Sequence, residues 1–181
     1  MPKALLICGS PRQGNTEYIL RKIYNALDCD KNLILLHEKD IKMCTGCLTC
    51  DKTGHCAISD GMTSLLDELE SADVIIFGTP NYFDNLPGIF KNFIDRTNPF
   101  YKTRPLKGKK AINIIVGGGN IKNSKRVAKY ALNFFHSANQ LKVIGSFFFQ
   151  ALERDGLEKE PGTNSKINAV IESINKLINF K

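Results

Sequence analysis

The chain has 181 residues, with 25 Lys and Arg against 18 Asp and Glu, six Cys, eleven Phe and no Trp, and its formal net charge is +7. At roughly 100–200 residues per domain, this length fits one domain over residues 1–181 that buries a core without disulfide staples. Its 43% hydrophobic content excludes a disordered chain, and apolar runs of only strand length exclude a membrane-spanning helix.

Residues 4–8 form the first strand-like run. The run is too short for a signal-peptide core and leads straight into a Gly-Ser turn, so a cytoplasmic location is expected. A reducing compartment makes structural disulfides improbable. In residues 16–27, Ile19, Leu20, Ile23 and Leu27 share one helical face. A second short run, 33–36, precedes a Cys-rich loop at 43–58. Residues 61–69 read as a helix with Met62, Leu65, Leu66 and Leu69 at spacings of three and four. Residues 74–78 read as a strand, 88–95 as a helix, 111–116 as a strand and 124–135 as a helix. A fifth strand at 143–149 and a last helix at 167–180 complete the series.

Alternating strands and helices imply right-handed crossovers and a parallel sheet covered on both faces. The unbroken apolar run Val74-Ile75-Ile76-Phe77 fits a strand buried on both sides. Five strands in this length predict an α/β flavodoxin-like three-layer sandwich of order 2-1-3-4-5 rather than the six-stranded dinucleotide fold. Ligands of such sheets sit beyond the carboxyl ends of the strands, where the strand order reverses. The loops after strands one, three and four are therefore the candidate functional segments.

The first loop, Gly9-Ser10-Pro11-Arg12-Gln13-Gly14-Asn15-Thr16, opens a helix whose N-terminal N–H groups and dipole favour an anion. Ser10, Asn15 and Thr16 add hydrogen bonds, and Arg12 adds charge. Asn15 stands where a triphosphate loop carries Lys, so a phosphate monoester fits better than a triphosphate. The plain alternative is a turn in which Asn15 and Thr16 cap the helix. After strand three, Thr79-Pro80-Asn81-Tyr82-Phe83 puts two adjacent aromatics where a flat heteroaromatic ring can pack. Tyr82 and Phe83 as mere filler is the competing reading. Gly117-Gly118-Gly119 after strand four permits close backbone approach to a ligand. Together the three loops outline a site for a phosphorylated flat ring, and FMN answers that description.

Four of the six cysteines, Cys44, Cys47, Cys50 and Cys56, fall within thirteen residues. Gly46 and Gly54 let this stretch curl around a centre. Compact C-x₂-C-x₂-C spacing suits a [4Fe–4S] cluster. Structural zinc sites usually separate two C-x₂-C pairs, and bare thiols are the third reading. Cys8 and Cys29 read as a buried small hydrophobe and a surface thiol, and His55 as solvent-facing.

With these motifs the sequence resembles the flavodoxin-like NAD(P)H-dependent FMN oxidoreductases, and among them the iron–sulfur flavoproteins, over nearly its whole length. The resemblance rests on the first loop, the Cys44–Cys56 cluster, Thr79-Pro80 with Tyr82-Phe83, and Pro87-Gly88 followed by Lys91-Asn92-Phe93-Ile94-Asp95-Arg96. It implies that Ser10, Arg12, Gln13, Gly14, Asn15 and Thr16 hold the FMN phosphate. It also implies that Pro80, Asn81, Tyr82 and Phe83 hold the isoalloxazine, with Gly117 and Gly118 near the ring's far side. Asn81 departs from the apolar residue usual in the family. The four clustered cysteines match the ligands of the family's compact [4Fe–4S] motif. Homodimers or homotetramers are implied as well.

No residue stands out as a general acid, base or nucleophile, and His37, His55 and His136 are dispersed. That suits flavin chemistry, in which the cofactor carries the reaction. With no separate nucleotide domain, NAD(P)H would stack transiently at the flavin face as co-substrate. Lys91 and Arg96 read as a solvated face. The basic stretch Lys102–Lys110 has no accompanying nucleic-acid module, so neither nucleic acid nor membrane is an expected partner. Three readings follow. The first is an FMN-dependent oxidoreductase passing electrons to a cluster, a quinone or another small acceptor. The second is an electron carrier serving a ferredoxin-like protein. The third is a flavodoxin-fold binding module with a structural zinc loop.

Overall fold

The computed structural model describes residues 2–179, so Phe180, the expected end of the last helix, lies outside the described residues. The strands are β1 (Lys3–Cys8), β2 (Asp30–Leu35), β3 (Val74–Pro80), β4 (Lys110–Gly117) and β5 (Lys142–Gln150). All pair in parallel, in the order β2-β1-β3-β4-β5. The helices are α1 (Asn15–Ala26), α2 (Thr49–Thr53), α3 (Met62–Ser71), α4 (Gly88–Arg96), α5 (Phe100–Thr103), α6 (Ile121–Arg126), α7 (Asn133–Ala138), α8 (Gly156–Lys159) and α9 (Thr163–Asn179). A π-helical segment, Val127–Leu132, joins α6 to α7.

Successive strand residues point to opposite faces, and here both faces are buried. Leu5 and Ile7 of β1, with Ile75 and Phe77 of β3, pack against α3, α4 and α7 in one apolar layer. Ala4, Leu6 and Cys8, with Val74 and Ile76, pack against α1 and α9 in the other. That is the predicted three-layer sandwich. Phe77 anchors the first layer, with Phe90, Phe135 and His136 rings 5.4 to 6.2 Å from its own.

The differences from expectation have local causes. The helix predicted over 124–135 begins at Ile121, because the Asn120 side chain accepts the Lys122 N–H as a cap. Strand β3 continues through Thr79 and Pro80, which pair with Ile115 and Val116 of β4. The short helices α2, α5 and α8 lack the apolar periodicity that marks a helix in a sequence. Cys8 is fully buried, and burial pushes its thiol up to about 12. Cys29 is half-buried against the α1–α9 layer rather than a plain surface thiol. Among the described residues, no helix is long and apolar enough to cross a membrane.

Candidate functional site

The carboxyl ends of β1, β3, β4 and β5 surround one cavity of about 170 Å³. All the residues predicted for the FMN site line it except Gln13 and Phe83. Gln13 instead lines an adjoining groove of about 500 Å³ with Glu17, Arg21 and Arg154.

At the phosphate loop, α1 starts at Asn15 without a side-chain cap, so the helix-capping alternative is not what the loop does. First-turn N–H groups have no partner within the helix. The Asn15 N–H is taken by the Arg154 carbonyl at 3.2 Å. The Asn15 carboxamide is also engaged, donating to the Glu153 carbonyl at 2.6 Å and accepting the Leu157 N–H at 3.1 Å. Asn15 therefore ties the segment after β5 to the phosphate loop, and Arg12, Thr16 and the remaining N–H groups are left for an anion. Ser10 Oγ steadies the loop by donating to the Arg12 carbonyl at 2.6 Å. Sequence reasoning missed the segment 151–154, which completes the cavity wall. Its one signal was position, since it follows the carboxyl end of a strand.

The ring loop is a tight antiparallel turn in which Tyr82 and Asn85 exchange N–H···O bonds of 3.0 and 2.9 Å. Its two central residues, Phe83 and Asp84, have φ of 52° and 58°, the left-handed pair that such a turn demands. Phe83 is fully exposed and stands outside the cavity, whereas Tyr82 lines it at 40% exposure. The Asn81 Nδ2 faces the Asp84 carboxylate at 3.4 Å, and Arg126 holds the other oxygen of that carboxylate at 2.9 Å. The Asn81 Oδ1 is buried without a partner. At Gly117 a Cβ would come within 2.5 Å of Ser124 Oγ and 3.3 Å of Asn81 Cβ, so the backbone approach requires glycine. An uncapped helix start, a half-exposed tyrosine and an unpartnered carboxamide oxygen fit a phosphorylated ring with polar edges.

The cysteine loop leaves the same edge of the sheet after β2. Gly46, Leu48 and Gly54 all have positive φ, which bends the chain around a hollow of about 360 Å³. Cys44, Cys47, Cys50 and Cys56 all line that hollow. Among the described residues, no three His, Cys, Asp or Glu side chains are gathered as a ready-made ligand set. The chemistry of the donors is uniform, four thiols lining one hollow, which suits a soft metal centre. The Thr49 hydroxyl, 3.4 Å from Cys47 Sγ, lowers the pKa of that exposed thiol.

Arg96 corrects the sequence reading. Lys91 is solvated as expected, but Arg96 is 1% exposed. Its guanidinium takes both Asp60 carboxylate oxygens at 2.8 and 2.9 Å and the carbonyls of Lys42 and Ile58 at 2.6 and 3.3 Å. It therefore closes the two ends of the cysteine loop against each other. His136 is buried as well.

Comparison with known proteins bears on this geometry. Residues 2–153 match the family model described as NADPH-dependent FMN reductase. An iron–sulfur flavoprotein of Methanocaldococcus jannaschii is 31% identical over 137 residues, which cover 74% of this chain and 71% of that protein. An iron–sulfur flavoprotein of Archaeoglobus fulgidus is 41% identical over 98 residues, 52% of this chain, and the match spans 48% of that protein's length, about half. Among solved structures, an NADH:FMN oxidoreductase in its apo form superposes with a TM-score of 0.68 at 23% identity, covering 97% of this chain and 89% of that one. An FMN-dependent NADH-azoreductase of Bacillus anthracis in complex with FMN gives 0.67 at 15% identity, covering 96% and 99%. At these identities the two superpositions speak for the fold.

Proposed function

The chain belongs to the NADPH-dependent FMN reductase family and groups with its iron–sulfur flavoproteins, and on that premise we propose that it is an FMN-dependent oxidoreductase. It takes electrons from NAD(P)H and passes them to a [4Fe–4S] centre in the cysteine loop or to a small acceptor such as a quinone. The carrying observation is the juxtaposition at one sheet edge of a cavity lined by the phosphate and ring loops and a hollow lined by four thiols. Bound FMN supplies hydride acceptance and the conversion of electron pairs to single electrons.

The chain's own residues bind, orient and exclude. Arg12, Thr16 and the free N–H groups of α1 hold the phosphate against the helix dipole. Tyr82 packs on the ring, and the orphan Asn81 Oδ1 offers an acceptor to an N–H of its polar edge. Gly117 lets the β4 backbone approach the ring. The exposed faces around the ring loop leave room for NAD(P)H to stack transiently, and assembly into a homodimer or homotetramer would cover part of them.

The exposure of the cysteine loop favours one further reading, an electron carrier that receives electrons from a ferredoxin-like partner. One experiment separates the two: anaerobic purification with an optical spectrum and metal analysis, followed by mixing with NADPH or with reduced ferredoxin. Bleaching of bound FMN by NADPH within seconds is expected. Bleaching by reduced ferredoxin alone selects the carrier, and a colourless protein carrying zinc removes both.

A further inference from the structure

Helix α4, the turn after it and α5 meet the cysteine loop with a row of polar side chains. Asn92 Oδ1 accepts the Cys44 N–H at 3.1 Å, and its Nδ2 lies 3.2 and 3.3 Å from the carbonyls of Ile41 and Lys42. One turn on, Arg96 holds the carbonyls of Lys42 and Ile58. Asn98 Nδ2 then donates to Cys50 Sγ at 3.0 Å and to Asp51 Oδ1 at 3.1 Å. Lys102 Nζ finishes the row on the Asp51 carbonyl at 2.6 Å. A short stretch of chain thus reaches the entry, the middle and the exit of the loop. Of these side chains, Asn98 has a hydrogen bond to a cysteine sulfur. Its orientation is fixed, because a sulfur and a carboxylate are both acceptors and only the amide nitrogen can face them.

We propose that Asn98 is a positioning residue for the centre held by the cysteine loop, and that its N–H on Cys50 Sγ raises the reduction potential of that centre. The inference rests on the iron–sulfur reading above. A donor on a ligating sulfur withdraws electron density and stabilises the more negative, reduced state, and such bonds are among the levers that set cluster potentials. The same amide also neighbours the Asp51 carboxylate, so it separates a negative charge from the sulfur. Removing it exposes the sulfur to that charge, which works in the same direction.

The test compares the wild-type chain with N98L, similar in bulk and without a donor, and N98S, whose hydroxyl is too short to span the distance. Iron and acid-labile sulfide are measured first, then the cluster potential by anaerobic titration followed by electron paramagnetic resonance. The expected result is cluster-level iron and sulfide in the variants, a potential more negative than that of the wild type, and an unchanged flavin potential. An unchanged cluster potential in a fully loaded variant overturns the proposal. Loss of the cluster from both variants also overturns it, leaving Asn98 as a scaffold contact only. A wild-type chain that binds FMN but takes up neither iron nor sulfide overturns the iron–sulfur reading itself, and it is recognised before any variant is made.

Discussion

Arg96 and Asp60 form a two-pronged ion pair whose side chains are each 1% exposed, and the same guanidinium closes both ends of the cysteine loop. Asp60 in turn accepts the N–H groups of Lys42 and Met62, so the pair joins α4, the loop and the start of α3. The Arg96 guanidinium holds the Asp60 carboxyl well down, to about 2.

Removing one member of a buried pair strands the other as an uncompensated charge, at a cost of about 3–5 kcal/mol. R96L is therefore expected to lower the unfolding free energy read from urea titration by that amount and to speed alkylation of the loop cysteines. Both measurements are needed, because general destabilisation and local opening of the loop are different outcomes. A double variant, R96L with D60L, should recover much of the stability, since it leaves no buried charge behind. If R96L unfolds like the wild type, the clasp contributes nothing.

His136 gives the chain a separate acid sensitivity. Burial against Phe77 and Phe135 pushes its imidazole down to about 4 from an ordinary 6.5, and its Nε2 has no partner. The unfolded chain therefore binds a proton between these values that the folded chain refuses. Stability contributed by the neutral ring is complete above pH 6.5 and is lost as pH falls toward 4, by roughly 3 kcal/mol in all. Denaturant titrations from pH 7 to 4 should show this slope, and H136F should flatten it. Asp60 acts lower down, its contribution fading as pH drops from 3.8 toward 2.

The sheet order, the three loops and the hollow-lining cysteines were legible in the sequence, because each depends on local pattern. Strand runs such as Val74–Phe77 have unbroken apolar character, and Cys spacing is read directly. The role of Arg96 was not legible. A basic residue at the polar end of a short helix looks solvated until tertiary packing brings Asp60 and the loop over it. The turn at Phe83 and Asp84 was also hidden, since paired left-handed residues are normally announced by Asn-Gly or Asp-Gly. Segment 151–154 carries no motif at all, and it is held at the cavity by hydrogen bonds to Asn15, Gln13 and Gly117.

Phe83 combines full exposure with a backbone conformation that bulky residues avoid. Strain of this kind costs on the order of 1–3 kcal/mol and persists where a site uses it. F83N, which tolerates left-handed φ and sacrifices no packing, should raise unfolding stability by about 1 kcal/mol. The same variant should keep its FMN affinity, as read by flavin fluorescence on dialysis, because Phe83 stands outside the cavity that Tyr82 lines. A clear loss of flavin affinity would bring Phe83 back into the site beside Tyr82.

Gly117 and Gly118 separate close packing from ligand access. A methyl group at Gly117 collides with Ser124 Oγ at 2.5 Å, so either the buried serine or the β4 backbone must shift. Such overpacking costs about 1–3 kcal/mol. At Gly118 a Cβ meets nothing nearer than the Ala151 carbonyl at 3.5 Å, an ordinary contact. G117A should therefore lose stability and flavin affinity together, whereas G118A should fold like the wild type. Both residues line the cavity, so G118A isolates the effect of one methyl group on the ligand alone. Full flavin affinity in G118A would place the ring away from the second glycine, and a loss confined to affinity would put the two in contact.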